Sequence, residues 1–104
     1  MERARKLTGD EIELSLSQLA GWQATDGRLR REYHFRDFVD AWGFMTSAAL
    51  IIQQMDHHPN WSNVYGTVNI ELWTHDAGGI TRRDVELAQK MEALAVRLLR
   101  SVPA

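Results

Sequence analysis

The sequence predicts an α+β fold: a four-stranded antiparallel sheet with three helices on one face, in the order α-β-β-α-β-β-α. Three segments place apolar residues at three- and four-residue steps, which is typical of amphipathic helices. Four shorter segments form two hairpin patterns, each with a glycine at or near its turn. Because alternation leaves these strands one apolar face, we expect all three helices to cover that face.

Length and composition limit the possible classes of protein. The 104 residues suffice for one core, so we predict a single domain over 1–104. With 44% hydrophobic and 25% charged residues, the composition is that of a globular chain. The absence of cysteine excludes a disulfide framework, a thiolate nucleophile and a sulfur-based zinc site.

Charge and hydropathy bear on partners and compartment. A net charge of −2 and a pI near 6.0 are a poor basis for binding nucleic acid, so we expect no nucleic-acid partner. No apolar run reaches the ~18 residues of a membrane span, and the first residues lack the apolar core of a signal peptide. The sequence therefore predicts a cytoplasmic protein without membrane association.

The first helix and hairpin are predicted from caps and turns. Thr8 and Glu11 have the spacing of a capping box, and Gly21 is expected to end the helix that they begin. Asp26-Gly27 is a strong hairpin signal between two strands. The arginines Arg28, Arg30 and Arg31 are interpreted as part of a solvated strand face.

A long helix is predicted over "RDFVDAWGFMTSAALIIQQMD", because its apolar residues recur at helical steps. The expected buried residues are Phe38, Ala41, Trp42, Met45, Ala49, Ile52 and Met55. Pro59 disfavours α conformation in the residue before it, so the helix should end by His58.

The second hairpin and the last helix follow. In the hairpin Gly66 marks the turn, and the next strand alternates: Val68, Ile70, Leu72 and Thr74 on one face, Asn69, Glu71, Trp73 and His75 on the other. Thr81 and Asp84 form a second cap-like pair opening the last helix. Its predicted apolar side is Val85, Ala88, Met91, Ala95, Leu98 and Leu99.

Three histidines lie where elements end, which is where binding and catalytic groups concentrate. His57 and His58 close the long helix, and His75 closes the fourth strand. Imidazoles titrate near neutral pH and therefore suit acid-base chemistry, with Asp56, Asp76 and Asp84 as nearby carboxylates. Trp61, just after Pro59, offers a stacking wall for a flat ring.

Structural explanations exist for each of these residues. His57 could simply cap a helix, Asp84 could stabilise a first helical turn, and Trp61 could belong to the core. Trp22, Trp42 and Trp73 are expected in the core, Tyr65 in packing, and His34 in solvent. A metal-dependent hydrolase is a further alternative, although adjacent histidines point about 100° apart on a helix.

The stretch "MDHHPNWSNVYGTVNIELWTHDAGGITRRD" resembles the signature of the pterin-4a-carbinolamine dehydratase family. The similarity rests on His-His-Pro, Tyr65, the strand-ending His75 and the Asp84 after a glycine loop. It extends from the Gly21-Trp22 pair to about Leu94 and includes "YHFRDFVDAWGFMTSAAL" in the long helix. One departure is Gln53, where family members often carry an acidic residue four positions before the first histidine.

This resemblance implies dehydration of 4a-hydroxytetrahydropterin to the quinonoid dihydropterin and water, with no metal or cofactor. It implies that His57, His58 and His75 are catalytic, with His57 and His75 in the acid-base roles and His58 holding the ring. Asp84, Trp61 and Thr74 are the expected substrate-binding residues. A homodimer or homotetramer formed through sheet edges is also implied, with an aromatic amino-acid hydroxylase as pathway partner. The alternative within the family is a non-catalytic binding or assembly module.

Overall fold

The computed structural model describes residues 4–100, with the side chain of Arg100 left out. The predicted order α-β-β-α-β-β-α is confirmed, with one additional 3₁₀ helix, His75–Ala77, before the last helix. The helices are α1 (Gly9–Leu16), α2 (Phe38–Met55) and α3 (Arg82–Arg100); the strands are β1 (Gln23–Thr25), β2 (Arg28–His34), β3 (Asn60–Val64) and β4 (Thr67–Leu72).

The four strands form one antiparallel sheet in the order β1-β2-β4-β3, so the two strands that follow helices are its edges. Asp26 and Gly27 turn the first hairpin with φ of 54° and 74°, the left-handed conformation that favours Asp-Gly pairs. At the second turn a side chain on Gly66 would place its Cβ 2.5 Å from the carbonyl oxygen of Phe35. Glycine is therefore required there on steric grounds.

One face of the sheet carries the core. Leu29 and Tyr33 of β2 lie beside Leu72 and Val68 of β4, and all four are buried. Ile70 completes this apolar row. The alternate positions of β4 are less buried, so the predicted strand alternation is confirmed and the helices cover one face of the sheet.

The buried face of α2 differs from the one predicted. The structure buries Ala41, Phe44, Ala48 and Ile52, whereas Trp42, expected in the core, is 47% exposed. Phe38 and Ala49 are also exposed, and Met45 and Met55 are half-buried. Apolar residues surround most of this helix, so helical spacing alone does not select which of them face the sheet.

The C-terminal end of α1 also differs from the prediction. Thr8 and Glu11 form the expected capping box, but the helix ends at Leu16 rather than near Gly21, and turns connect the two. Gly21 has a φ of 82°, and a Cβ there would lie 2.6 Å from Cζ of Arg31. Gly21 is thus favoured by its left-handed backbone, since the arginine side chain packed over it can move, and not by a helix end.

The arginine cluster of β2 is less solvated than predicted. Arg28 and Arg30 both pair with Glu71 of β4, and each is only 37% exposed in its side chain. The guanidinium of Arg31 lies 4.1 Å from the ring centre of Tyr33. Cross-strand pairing on the sheet therefore takes up charges that the sequence alone assigned to water.

A buried polar cluster attaches α3 to the sheet. Trp22 Nε1 donates to Glu92 of α3 at 3.1 Å, and the Tyr33 hydroxyl donates to the same carboxylate oxygen. Burial of Tyr33, reinforced by this hydrogen bond, raises the pKa of its phenol. Among the described residues, no helix is both long enough and apolar enough to cross a membrane.

Candidate active site

The long helix ends at Met55, three residues before His58, and the way it ends places His57. Asp56 adopts the left-handed conformation (φ 49°, ψ 46°), which aspartate tolerates better than most residues. The amide of Asp56 then donates to Gln53 and that of His57 donates to Ile52, the paired hydrogen bonds of a Schellman motif. This reversal turns the His57 side chain inward, where it is 7% exposed.

The inward-turned imidazole contacts the first turn of α3. His57 Nε2 lies 2.5 Å from Oδ1 of Asp84, a carboxylate with no solvent exposure. The second oxygen, Oδ2, accepts from the Thr81 amide at 2.8 Å and from the Thr74 hydroxyl at 3.0 Å. Asp84 therefore stabilises the first turn of α3, the structural role considered from the sequence, and also contacts His57.

Counting donors and acceptors fixes the direction of these hydrogen bonds. The Arg83 amide donates to the Thr81 hydroxyl, whose own proton is then free to go to the Thr74 oxygen 2.8 Å away. Thr74 in turn donates to Oδ2 of Asp84, which also accepts the Thr81 amide. The ring tautomer of His57 with its proton on Nε2 matches a carboxylate at Oδ1.

Nδ1 of His57 is left for other chemistry. Within residues 4–100 this nitrogen has no hydrogen-bond partner. In the neutral ring with a proton on Nε2, Nδ1 is an acceptor, and it becomes a donor when the ring is protonated. Nδ1 is therefore the ring nitrogen of His57 that is left for a hydrogen bond to a ligand in the adjoining space.

A cavity of about 310 Å³ lies in front of this pair. Its lining residues come from the α2–β3 connection, the end of β4 and the start of α3: His57, His58, Trp73, Thr74, His75, Asp76 and Arg83. His58 and His75 are exposed at this cavity, and His58 Nε2 lies 3.3 Å from the carboxylate of Asp56. The chain thus brings three imidazoles to one opening.

The candidate residues from the sequence separate into two groups. His57, His58, Thr74 and His75 line the cavity, and Asp84 lies behind it, bonded to His57 and Thr74. Trp61, the other residue expected to bind substrate, is not among the residues that line this cavity. Trp61 lies on β3 opposite Ile70 of β4 and packs against the core. It borders a separate, larger cavity of about 580 Å³.

Two cavity residues were not anticipated from the sequence. Arg83 Nη2 donates to the carbonyl oxygens of Met55 and Asp56, both at 2.9 Å, and so holds the end of α2. Trp73, expected in the core, is half-buried at the cavity. The one signal in the sequence is its position two residues before His75, because the predicted strand put both residues on one face. Nothing comparable marks Arg83. In the structure β4 ends at Leu72, and His75 lies in the 3₁₀ helix rather than at the strand end.

No metal-binding arrangement occurs at these residues. Within the part of the chain that the structure describes, no group of three or more histidine, aspartate or glutamate side chains could hold a metal ion. His57 directs Nε2 to Asp84 rather than toward the other two imidazoles. The arrangement instead suits proton transfer to and from a ligand in the cavity.

Comparisons with known proteins point to one family. Residues 5–94 match the family described as "Pterin 4 alpha carbinolamine dehydratase". A Solibacter usitatus protein named "Putative pterin-4-alpha-carbinolamine dehydratase" is 52% identical over 90 residues, covering 86% of this chain and 95% of its own length. A Rhodopseudomonas palustris protein of the same name is 51% identical over 92 residues, covering 86% and 91%.

A solved structure agrees with these sequence relatives. The crystal structure of a "transcriptional coactivator/pterin dehydratase" from Brucella melitensis superimposes with a TM-score of 0.85 at 42% identity. The match covers 88% of this chain and 99% of that one. The chain therefore belongs to the pterin-4-alpha-carbinolamine dehydratase family.

Proposed function

We propose that this protein dehydrates 4a-hydroxytetrahydropterin to the quinonoid dihydropterin, using its histidines as acid and base. Family membership supports the substrate and reaction. The observation that carries the mechanism is the buried His57–Asp84 pair, 2.5 Å apart, behind a cavity that His58 and His75 also line. The reaction needs two proton transfers at adjacent atoms, and the cavity offers three imidazoles, a side-chain type that serves as general acid and general base.

The chemistry balances without a metal or an organic cofactor. An acid protonates the hydroxyl on C4a, and the C4a–O bond breaks with its electron pair leaving on water. The N5 lone pair forms the C4a=N5 double bond, and a base removes the N5 proton. One proton is given and one is taken, so the two groups exchange protonation states over a turnover.

The surroundings of each histidine suggest how the roles divide. The carboxylate of Asp84 stabilises a protonated His57, so His57 is suited to receive the N5 proton at Nδ1. His75, exposed across the cavity, is then the donor to the C4a hydroxyl. His58 is placed to hold the bicyclic ring. Thr74 contributes through Asp84, to which its hydroxyl is bonded, rather than by contacting the reacting atoms.

The chemistry of the substrate and product indicates which reactions supply the one and use the other. A 4a-hydroxytetrahydropterin is the form in which a pterin leaves an aromatic amino-acid hydroxylation. Its dehydration returns the ring to a state that a reductase can use. We propose such recycling, with an aromatic amino-acid hydroxylase as the source of substrate.

Turnover of freshly generated 4a-hydroxytetrahydropterin tests the proposal. The wild-type protein should accelerate loss of the carbinolamine absorbance over the uncatalysed rate. His57→Ala and His75→Ala should each lose at least roughly tenfold in kcat, since one acid-base group typically contributes 10²–10⁴-fold. His34→Ala is the matched control, because His34 is exposed on β2 and lies outside the cavity. A wild-type rate equal to the uncatalysed rate would contradict the proposal.

A second candidate function, a binding or assembly module, is favoured by one surface. Phe38 and Trp42 meet edge-to-face on the outer side of α2 with ring centres 5.9 Å apart, and Val39 and Leu50 on the same helix are more than 70% exposed. Such apolar exposure is typical of association surfaces.

We propose that the protein is a homodimer or homotetramer. Sedimentation of the wild type against Trp42→Glu tests this, with a monomer at micromolar concentration contradicting it.

A further inference from the structure

The three cavity histidines are held with very unequal firmness. His57 is buried and bonded to Asp84, whereas the imidazole of His75 is exposed and has no hydrogen-bond partner within residues 4–100. A group that transfers a proton must be held at a defined distance and angle from the reacting atom. If His75 acts on the ligand, something other than a hydrogen bond has to position its ring.

The indole of Trp73 is the contact that does so. The ring centres of Trp73 and His75 lie 4.8 Å apart with an angle of 43° between the planes. Trp73 follows directly on β4 and is half-buried at the cavity wall, so its own position is better defined than that of His75. Aromatic pairs at this spacing attract one another beyond the area that they bury.

Trp73 is fixed in turn by a cation from the neighbouring strand. Arg28 Cζ lies 4.0 Å from the centre of the Trp73 ring, within the range of a cation–π contact. The register that pairs Leu29 with Leu72 makes Arg28 and Trp73 the next cross-strand neighbours.

Glu71 anchors this arginine to the sheet. Arg28 Nη1 lies 3.2 Å from the carboxylate of Glu71, which also accepts from Arg30 and, at 3.3 Å, from Asn60. Two further neighbours, Arg30 and Asn60, therefore hold the carboxylate that pairs with Arg28. We call the series Glu71, Arg28, Trp73 and His75 the stack. Its contacts run without a break from the open face of the sheet to the cavity.

We propose that Arg28 and Trp73 are positioning residues for His75, an inference that rests on the proposed acid-base function of that histidine. The indole forms one wall of the cavity and sets the tilt of the imidazole. The guanidinium prevents the indole from turning away. Neither side chain exchanges a proton with the ligand, so their effect is expected in kcat more than in KM.

Substitutions at both positions test the stack. Trp73→Ala should lower kcat by roughly tenfold or more, because a misplaced catalytic group can cost up to about 10²-fold. Trp73→Phe should restore most of the rate, since it keeps an aromatic wall. Arg28→Ala should cost less, roughly threefold, because a partly exposed cation–π contact is weak by itself. Arg36→Ala is the control: it removes an exposed arginine that pairs with Asp37 and Asp40 and contacts neither Glu71 nor Trp73 within residues 4–100.

A spectroscopic measurement separates this inference from the proposed function. The chain has four histidines, so the ¹H–¹³C spectrum resolves their rings. Loss of the indole removes the ring current of Trp73, which should shift the His75 ring resonances. The resonances of His34 should stay in place. Thermal unfolding of Trp73→Phe verifies that a folded variant is compared.

Two results would overturn the stack. One is a Trp73→Ala variant with His75 resonances unchanged from wild type. The other is an active wild type beside a Trp73→Ala variant of equal kcat. An inactive wild type would refute the proposed function instead, and the His75 resonances would then decide the stack alone.

Discussion

The imidazole of His57 and the carboxylate of Asp84 lie 2.5 Å apart although 27 positions separate them in the sequence. The contact joins the left-handed end of α2 to the first turn of α3. Because Asp84 also accepts the Thr81 amide and the Thr74 hydroxyl, one carboxylate caps a helix and fixes a histidine. Stability and chemistry are therefore coupled at this residue.

Asp84→Asn should damage both properties. An amide presents one oxygen where the carboxylate presented two, so it cannot accept from His57 as well as from Thr81 and Thr74. An unsatisfied buried donor costs about 1–3 kcal/mol, and we expect a loss of stability of that order. kcat should fall at least roughly tenfold, because the protonated form of His57 loses its counter-charge. Urea unfolding and carbinolamine turnover measure the two effects.

Glu86→Gln supplies the control for this substitution. Glu86 is exposed on α3 and, among the residues that the structure describes, pairs with Lys90 one turn later, a contact of little energetic value. The control should match the wild type in both measurements. An Asp84→Asn protein with wild-type kcat would reduce Asp84 to a helix cap.

The raised pKa of Tyr33 predicts an alkaline loss of stability. Burial and the hydrogen bond to Glu92 favour the neutral phenol in the folded protein, against an ordinary pKa of 10.0. The stabilisation is therefore complete below pH 10 and is lost as the pH rises further, because the unfolded chain ionises first. Tyr33→Phe should be less stable than wild type by about 1 kcal/mol at pH 7 and lose that deficit above pH 10.

Urea unfolding between pH 7 and pH 11 measures this difference. Tyr65→Phe is the matched control, since Tyr65 is 67% exposed at the β3–β4 turn. Its unfolding free energy should follow that of the wild type throughout. A Tyr33→Phe deficit that stays constant to pH 11 would show that Tyr33 is not held neutral.

A lowered pKa predicts the acid behaviour of α1. The hydrogen bond from Arg5, with help from the Thr8 amide, lowers the pKa of Glu11 to about 2 from 4.5. A depressed carboxyl pKa stabilises the fold above its unfolded value and ceases to do so as the pH falls through the folded one. Glu11→Gln should therefore fray α1 relative to wild type at pH 6, and the difference should vanish toward pH 2. Amide exchange at Ile12 and Glu13 reports it; equal exchange rates at pH 6 would refute the assignment.

Catalysis is expected to survive removal of metal ions. Proton transfer by imidazoles needs no Lewis acid, and the donor set at the cavity is not arranged for one. After dialysis against a strong chelator, the carbinolamine turnover rate should equal that of the untreated protein. If chelation abolished turnover and zinc restored it, the hydrolase alternative would be favoured.

The sequence predicted the architecture well because its signals are local. The capping box of Thr8, the Asp26-Gly27 turn and the alternation of β4 each specify an element from within a few residues. The grouping of His57, His58 and His75 came from their positions at element ends, together with the family resemblance. Asp84 was included for the same reasons.

The errors arose where tertiary packing decides. In α2, Phe44 faces inward because it packs on Tyr33 and Phe35, at ring distances of 5.4 and 5.1 Å, and this rotation leaves Trp42 outside. Trp61 was expected beside the histidines, but it borders the other cavity, whereas Trp73, which lies under Arg28 of the neighbouring strand, borders theirs. Neither relation is visible in a linear pattern, since both depend on which elements meet.

Turnover by the double variant His57→Ala/His75→Ala tests the central claim most directly. Each single variant should retain some activity because one imidazole can partly serve for the other, whereas the double variant should fall to the uncatalysed rate. Retained binding of a 7,8-dihydropterin would show that the cavity is intact and that the chemistry alone is lost. A double variant that turns over the carbinolamine at the wild-type rate would contradict the account and return both histidines to structural roles.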